Sequence, residues 1–198
     1  MIGGSGMALT DQEVLGIFRQ CGALLDGHFL LTSGLHSDRY FEKFAVLQHP
    51  DLTERLCRAL AERFAGQRVE LVVGPAVGGI LLAHEVAKRL GTRAIFTERE
   101  AGRMCLRRGF AIAPGQRVLV VEDVVTTGGS VREVLDVVRE AGGEPVGVAL
   151  LVDRSGGAVD FGVRTEALLR LEVKAYTPEE CPQCRDGIPL AARGSRHL

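Results

Sequence analysis

Glu122 and Asp123 stand side by side after four apolar residues, Val118 to Val121, and before Val124, Val125, Thr126, Thr127, Gly128, Gly129 and Ser130. Paired carboxylates are poor ligands for phosphate but good acceptors for a vicinal diol. The Thr-Thr-Gly-Gly-Ser run leads straight into a helical pattern. Glycine lets a ligand approach the backbone, and a helix N-terminus offers unpaired N–H groups and a dipole that favours an anion. Thr127 and Ser130 add hydroxyl donors. The two halves together suit a sugar phosphate, with the carboxylates at the ribose hydroxyls and the turn at the 5-phosphate. Taken singly, each has a plainer reading: a solvated acidic turn, or an ordinary N-cap. The Lys of a Walker loop is absent, and so is a G-x-G-x-x-G fingerprint.

Three other loops concentrate glycine and charge. Gly74 to Gly79, "GPAVGG", is a second strand-to-helix turn whose backbone N–H groups could hold a diphosphate, or a tight turn using Gly and Pro. "EREAGRMCLRRGF" carries Arg99, Arg103, Arg107 and Arg108. It reads as a mobile polar loop or as a cationic lid, since an arginine fork donates to phosphate oxygens in pairs. "DRSGG" follows the last long apolar run.

The elements that position these loops follow from periodicity. Thr10 or Asp11 caps a helix with Val14, Leu15, Phe18 and Cys21 on one face. Residues 27–44 read as a hairpin-like or irregular region. Pro50 starts a helix carrying Leu52, Leu56, Leu60 and Phe64. Short apolar runs then alternate with helices: strands at "VELVVG", "RAIFT", "QRVLVV", "PVGVALLVD" and "ALLRLEVKAY", with helices after Gly78 and Ser130. This pattern predicts an α/β fold around a mainly parallel sheet covered on both faces. Ligands bind such sheets beyond the carboxyl ends of the strands, where all four loops fall.

The 198 residues, 46% hydrophobic, suffice for one domain over residues 8–198, with hood elements in 8–50 and a ligand-binding core in 66–175. Residues 1–7, "MIGGSGM", read as a leader or a disordered end. A net charge of −1 gives no global field for nucleic acid or a membrane surface. No run reaches the roughly 20 apolar residues of a membrane span, and no signal pattern precedes the fold, so a cytoplasmic address is expected. Five scattered cysteines do not suggest a disulfide framework. Cys181 and Cys184 have zinc-knuckle spacing, but a zinc site needs a second pair, and only distant cysteines and His197 offer one. A short turn near the C-terminus is therefore expected. His28, His36, His49 and His84 lack ligand spacing.

"VLVVEDVVTTGGS" resembles the phosphoribosyl diphosphate (PRPP) signature of the type I phosphoribosyltransferases. With "GHFLLTSGLHSDRYF", "GPAVGG", "EREAGRMCLRRGF" and "LLVDRSGG" in this order, the chain from about Leu9 onward is similar to the orotate phosphoribosyltransferase family. That resemblance implies an α/β core with a small N-terminal hood, and Mg²⁺-dependent transfer of phosphoribosyl from PRPP to orotate. It implies a homodimer in which the lid reaches the neighbouring site. A purine phosphoribosyltransferase and a non-catalytic PRPP-binding regulator share the signature, but a nucleic-acid-binding regulator is expected to show a basic face or an added module.

By this resemblance Glu122 and Asp123 meet the ribose, Val124 and Val125 also line the PRPP site, and Thr126 to Ser130 hold the 5-phosphate, with Thr126 also near orotate. Arg154 pairs with orotate, and Tyr40 and Phe41 line the base pocket. Pro75, Ala76, Val77 and Gly78 form the diphosphate loop. Arg99 stands at a basic lid position, and Arg103 at another if loop lengths differ by one. Mg²⁺ is held mainly through PRPP. Two family lysines are replaced, by Thr32 and by Gly78, and a lid histidine has no counterpart. Lid arginines or Lys43 are expected to supply the charge.

Overall fold

In the computed structural model, which describes residues 9–31, 33–171 and 173–192, Thr10 opens helix α1 (Asp11–Gln20). Its hydroxyl accepts from Glu13 N, and the Glu13 carboxylate accepts from Thr10 N, a reciprocal cap that contributes about 1 kcal/mol. The expected leader, Thr32 and His197 lie outside the described residues. Helix α3 (Pro50–Arg63) begins at its proline and buries Leu56 and Leu60, as the spacing predicts.

The main sheet has the order β5-β4-β3-β6-β7-β8. Its strands are β3 (Leu71–Pro75), β4 (Arg93–Glu100), β5 (Arg103–Leu106), β6 (Arg117–Val125), β7 (Glu144–Asp153) and β8 (Thr165–Arg170). All neighbours are parallel except β4 and β5. Alternate residues serve opposite faces. Val72, Leu119, Val121, Ala149 and Leu151 pack with α1, α3 and α4 (Gly78–Leu90). Leu71, Val73, Val118, Val120, Val148 and Leu150 pack with Val131, Val134, Leu135 and Val138 of α5 (Gly129–Glu140). Both faces are covered, which is why the strand sequences are apolar throughout.

A second sheet, β10-β1-β2-β9, forms the hood. Strands β1 (Leu24–Leu30) and β2 (His36–Phe41) make the expected antiparallel hairpin. Short helices α2 (Lys43–Leu47) and α6 (Pro182–Arg185) flank it in sequence.

Four sequence expectations change. The hood is not purely N-terminal, because β9 (Ala175–Tyr176) and β10 (Ala191–Ala192) supply two of its four strands. The run "ALLRLEVKAY" is not one strand: its first part lies in β8 and its end in β9, in different sheets. The polar stretch from Arg99 is not irregular, since β4 and β5 pair as a hairpin from Thr97↔Leu106 to Glu100↔Arg103. Exposed two-stranded pairs need no apolar alternation, so composition does not reveal this one. Finally, β6 does not stop at the acidic pair but runs on to Val125.

Candidate active site

From β3 the chain winds through α4 to β4 and β5 on one side; from β6 it winds through α5 to β7 and β8 on the other. The junction of β3 and β6 is therefore the switch point where open α/β sheets bind ligands. Pairing between them covers Leu71–Val73 with Val118–Val120, whereas β6 stays paired to β7 as far as Val125↔Asp153. Beyond Val120 one edge of β6 is open, and Glu122 and Asp123 lie along that open length.

Both carboxylates are buried, and they serve different neighbours. Glu122 lines a cleft of about 230 Å³ with Arg99, Val124 to Val131 and Glu133. Its Oε1 accepts from Asp123 N at 3.0 Å. Asp123 faces α2 and α4, where Lys43 Nζ approaches its Oδ2 to 2.8 Å. Burial, and next the Asp123 charge, push the Glu122 carboxyl up to about 8. Burial also raises Asp123, against the opposing charge and hydrogen bond of Lys43. Burial alone would lower Lys43, but Asp123, Glu122 and Glu42 hold its ammonium above the usual range. One half-buried cation thus balances one carboxylate, and Glu122 keeps its proton near neutrality.

Gly78 makes this pairing sterically feasible. A Cβ there would collide with Asp123 Oδ2, and Lys43 Nζ lies only 3.5 Å from the same point. Of the replacements considered for the missing loop lysine, the structure brings Lys43 to the acidic pair. Pro75 ends β3, the Ala76–Val77 peptide is cis, and Gly78 opens α4.

The Thr126–Ser130 turn lines the cleft floor. Gly128 takes the N-cap position of α5 in a left-handed conformation (φ 78°), and no side chain caps the helix. The hydroxyls of Thr127 and Ser130 are therefore not spent as the N-cap of α5 that the plainer reading required. Thr126, Thr127, Gly129 and Ser130 are exposed to the cleft side.

Arg99 joins this cleft from β4, donating to Gly102 O at 2.9 Å and pairing with Glu133 of α5 at 2.7 Å. Glu133 escaped the sequence reading, although its place in the first turns of α5 puts it beside the phosphate turn. The other arginines of the stretch do not converge here. Arg103 is exposed at the hairpin tip, Arg107 pairs with Glu100, and Arg108 makes a two-pronged contact with Glu98.

Arg154 is held by its N–H to Val125 O at 2.8 Å, and Asp153 accepts from Ser155 N and Oγ to shape the turn. Arg154 is largely buried, which lowers its pKa, with Tyr40 near enough to oppose that shift. Its Nε is buried and has no hydrogen-bond partner among the described residues. A buried donor without an acceptor costs roughly 1–3 kcal/mol, which a bound carboxylate or carbonyl would recover. Phe41 takes a different place from Tyr40. It is buried edge-on against Phe18 at 4.9 Å, while Tyr40 lies near Phe29. Successive strand residues face opposite sides, so these two cannot line one wall together.

No group of three or more His, Cys, Asp and Glu with metal-ligand proximity lies in this cleft among the described residues. Asp123 is engaged by Lys43, and Glu122 by Asp123 N. This donor set fits a divalent cation that arrives with a polyphosphate substrate, rather than one caged by the protein.

A cleft at the switch point, with a buried acidic pair and a glycine-rich helix start, defines a sugar-phosphate-binding site of the phosphoribosyltransferase kind. The family model for the phosphoribosyl transferase domain matches residues 45–160. The orotate phosphoribosyltransferase of Pelotomaculum thermopropionicum is 60% identical over 190 residues, spanning 96% of this chain and 100% of that relative. That of Desulforamulus reducens is 57% identical over the same shares, 96% and 100%. The crystal structure of the Aeropyrum pernix orotate phosphoribosyltransferase superposes with a TM-score of 0.65 at 29% identity, covering 80% of this chain and 94% of that one. The chain belongs to the phosphoribosyltransferases, and within them to the orotate phosphoribosyltransferase family.

Proposed function

We propose that this protein transfers the 5-phosphoribosyl group of PRPP to N1 of orotate, giving orotidine 5′-monophosphate and diphosphate in the formation of pyrimidine nucleotides (UMP). The observation that carries the reading is the continuity of Glu122 with the Thr126–Ser130 turn in one cleft, with Asp123 beside Glu122 on β6 and, directly after the adjacent strand β7, the Nε of Arg154, unpartnered among the described residues. In this reading the turn holds the 5-phosphate on the N–H groups of α5. Glu122 and Asp123 accept from the ribose hydroxyls. Pro75, Ala76, Val77 and Gly78 face the diphosphate. Arg154 and Tyr40 orient orotate, with Thr126 near its edge, and Phe41 supports Tyr40 from the core.

Loss of diphosphate leaves an oxocarbenium-like C1, and the chain contributes position and electrostatics rather than a covalent nucleophile. The acidic pair fixes the ribose, and the carboxylate of Asp123, held by Lys43, sets negative charge near the developing cation. Arg99 offers a guanidinium at the phosphate end of the cleft. Mg²⁺, entering with PRPP, supplies charge neutralisation to the leaving diphosphate. Closure of the β4–β5 hairpin excludes the water that would hydrolyse C1.

A homodimer completes the proposal. Arg103, at the hairpin tip, reaches the neighbouring site. The large apolar side chains of Phe44, Val77 and Leu81 are exposed along α2 and the start of α4, which supports a second copy covering this face. The protein acts in the cytoplasm. Loss of orotate absorbance on adding PRPP and Mg²⁺, with adenine, hypoxanthine and xanthine as controls, tests the reading. Consumption of a purine and not of orotate would refute it.

A further inference from the structure

The hood brings together four side chains that the sequence keeps far apart. His28 from β1, His36 from β2, and Cys181 and Cys184 at the start and middle of the α6 turn place one ligand atom each within 4.8 Å of one another. His28 Nε2 is 3.0 Å from His36 Nδ1, 3.4 Å from Cys181 Sγ and 3.7 Å from Cys184 Sγ. Cys184 Sγ is 3.2 Å from His36 Nδ1. Zinc bonds of about 2.0–2.1 Å to nitrogen and about 2.3 Å to sulfur give a tetrahedron whose edges are about 3.3–3.8 Å. Four of the six separations, 3.0 to 3.7 Å, already stand near those edges, and the other two are within 4.8 Å.

Proton accounting favours a cation at their centre. His28 Nδ1 lies 2.8 Å from the Ile188 carbonyl, which can only accept, so the hydrogen sits on Nδ1. A neutral His28 then turns the lone pair of Nε2 inward, toward one imidazole nitrogen and two sulfurs. As hydrogen bonds these contacts compete with others, since Cys181 Sγ also lies 3.7 Å from Gln183 Oε1 and Cys184 Sγ 3.2 Å from His36 Nδ1, and Nε2 takes one proton at a time. A cation accepts electron pairs from all four at once, and the Ile188 contact is the outer-shell hydrogen bond that fixes a ligating imidazole. His28, His36 and Cys181 are buried, and Cys184 closes the site at the surface.

We propose that His28, His36, Cys181 and Cys184 bind one zinc ion as a closed, four-ligand structural site that clasps the C-terminal segment to the hood. Two nitrogens and two sulfurs in tetrahedral array select zinc over harder cations. Four protein ligands leave no position for substrate, so the role is structural. The clasp has a mechanical reason. Strands β9 and β10 are two residues each, and each holds its partner by two register pairs. The segment they anchor returns to the hood across a separation of 148 residues between Cys184 and His36. Short pairings closing so long a loop need a further tether, and a metal bound only by the folded chain supplies one. Through β2, which carries both His36 and Tyr40, the clasp also steadies the wall of the orotate pocket.

The test uses the full chain without a polyhistidine tag, purified under reducing conditions. Elemental analysis is expected to find one equivalent of zinc per chain. Exchange for Co²⁺ is expected to give the thiolate charge-transfer and tetrahedral ligand-field bands. C184S, at the exposed corner, and H36Q are each expected to lose the metal while keeping the far-ultraviolet circular dichroism of the fold. Chelation is expected to lower the Tm of the wild type by roughly 5–10 °C, reversibly on zinc addition, and to leave that of C184S unmoved. Three results would overturn the proposal: no zinc uptake with both thiols reduced; a Co²⁺ spectrum unchanged in H36Q; or a Cys181–Cys184 disulfide in the metal-free protein that persists under those reducing conditions.

Discussion

Lys43 Nζ lies 2.8 Å from Asp123 Oδ2, across the space that the absent side chain of Gly78 leaves open. A cation from α2 thus reaches the acidic pair of the sheet, and the turn before α4 is kept bare at Gly78 to let it through. Gly78 stands where the resemblance leads one to expect a loop lysine, and Lys43 brings a positive charge to Asp123 from α2 instead.

Lys43→Gln removes the cation whose charge and hydrogen bond oppose burial at Asp123. The carboxyl pKa values then rise, so the acid limb of kcat/KM moves to higher pH, with a loss of about tenfold or more at pH 7. The check is a pH–rate profile of both proteins. A uniform fall at every pH, without displacement of the limb, would mean that Lys43 serves packing alone.

Gly78→Ala places a methyl group against Asp123 Oδ2. It must displace either the carboxylate or the loop. Activity is expected to fall about a hundredfold or more, with a stability loss of roughly 1–3 kcal/mol. Kinetics and denaturant melts of the variant test this, and wild-type turnover would contradict it.

Glu122 carries the clearest pH signature. Its carboxyl rises from 4.5 to about 8 on folding. Between those values the folded state binds more protons than the unfolded state, so stability falls as pH rises through that window. Glu122→Gln removes that loss. The Tm advantage of the variant over the wild type is expected to grow by several degrees between about pH 5 and pH 9, equivalent to ~2 kcal/mol or more. A pH-independent difference would contradict the assignment.

Gly128→Ala forces a side chain into a left-handed N-cap (φ 78°), with its Cβ 2.8 Å from both Phe161 and Val159. The turn must shift, at a cost of about 1–3 kcal/mol. The KM for PRPP is expected to rise about tenfold or more, while that for orotate changes little. Equal effects on both would separate the turn from the phosphate role.

The β6–turn–α5 unit was legible because its chemistry is contiguous: apolar strand, acids, glycines and amphipathic helix follow one another from Val118 to Val138. Local order also sufficed for α1 and α3, whose caps and apolar spacing lie within a few residues. What the sequence concealed depends on distance or brevity. Lys43 and Asp123 meet only because α2 packs near the end of β6. His28 and His36 join Cys181 and Cys184 only once β9 and β10, too short to leave a pattern, return to the hood. The β4–β5 hairpin has charged residues around its tip and only a four-residue return strand, so it reads as loop. Tyr40 and Phe41 looked like one pocket wall, and strand alternation divides them.

In the proposed function PRPP rests on the acidic pair and turn and orotate on Arg154, two separable halves of one site. Titration calorimetry of each ligand with Asp123→Asn and Arg154→Ala tests it most directly. Asp123→Asn is expected to lose turnover and PRPP affinity with the fold intact. Arg154→Ala is expected to weaken orotate by about tenfold or more and to leave PRPP within about twofold, a change of some 0.4 kcal/mol. Equal loss of both ligands in Arg154→Ala, or unchanged PRPP binding and turnover in Asp123→Asn, would contradict the account.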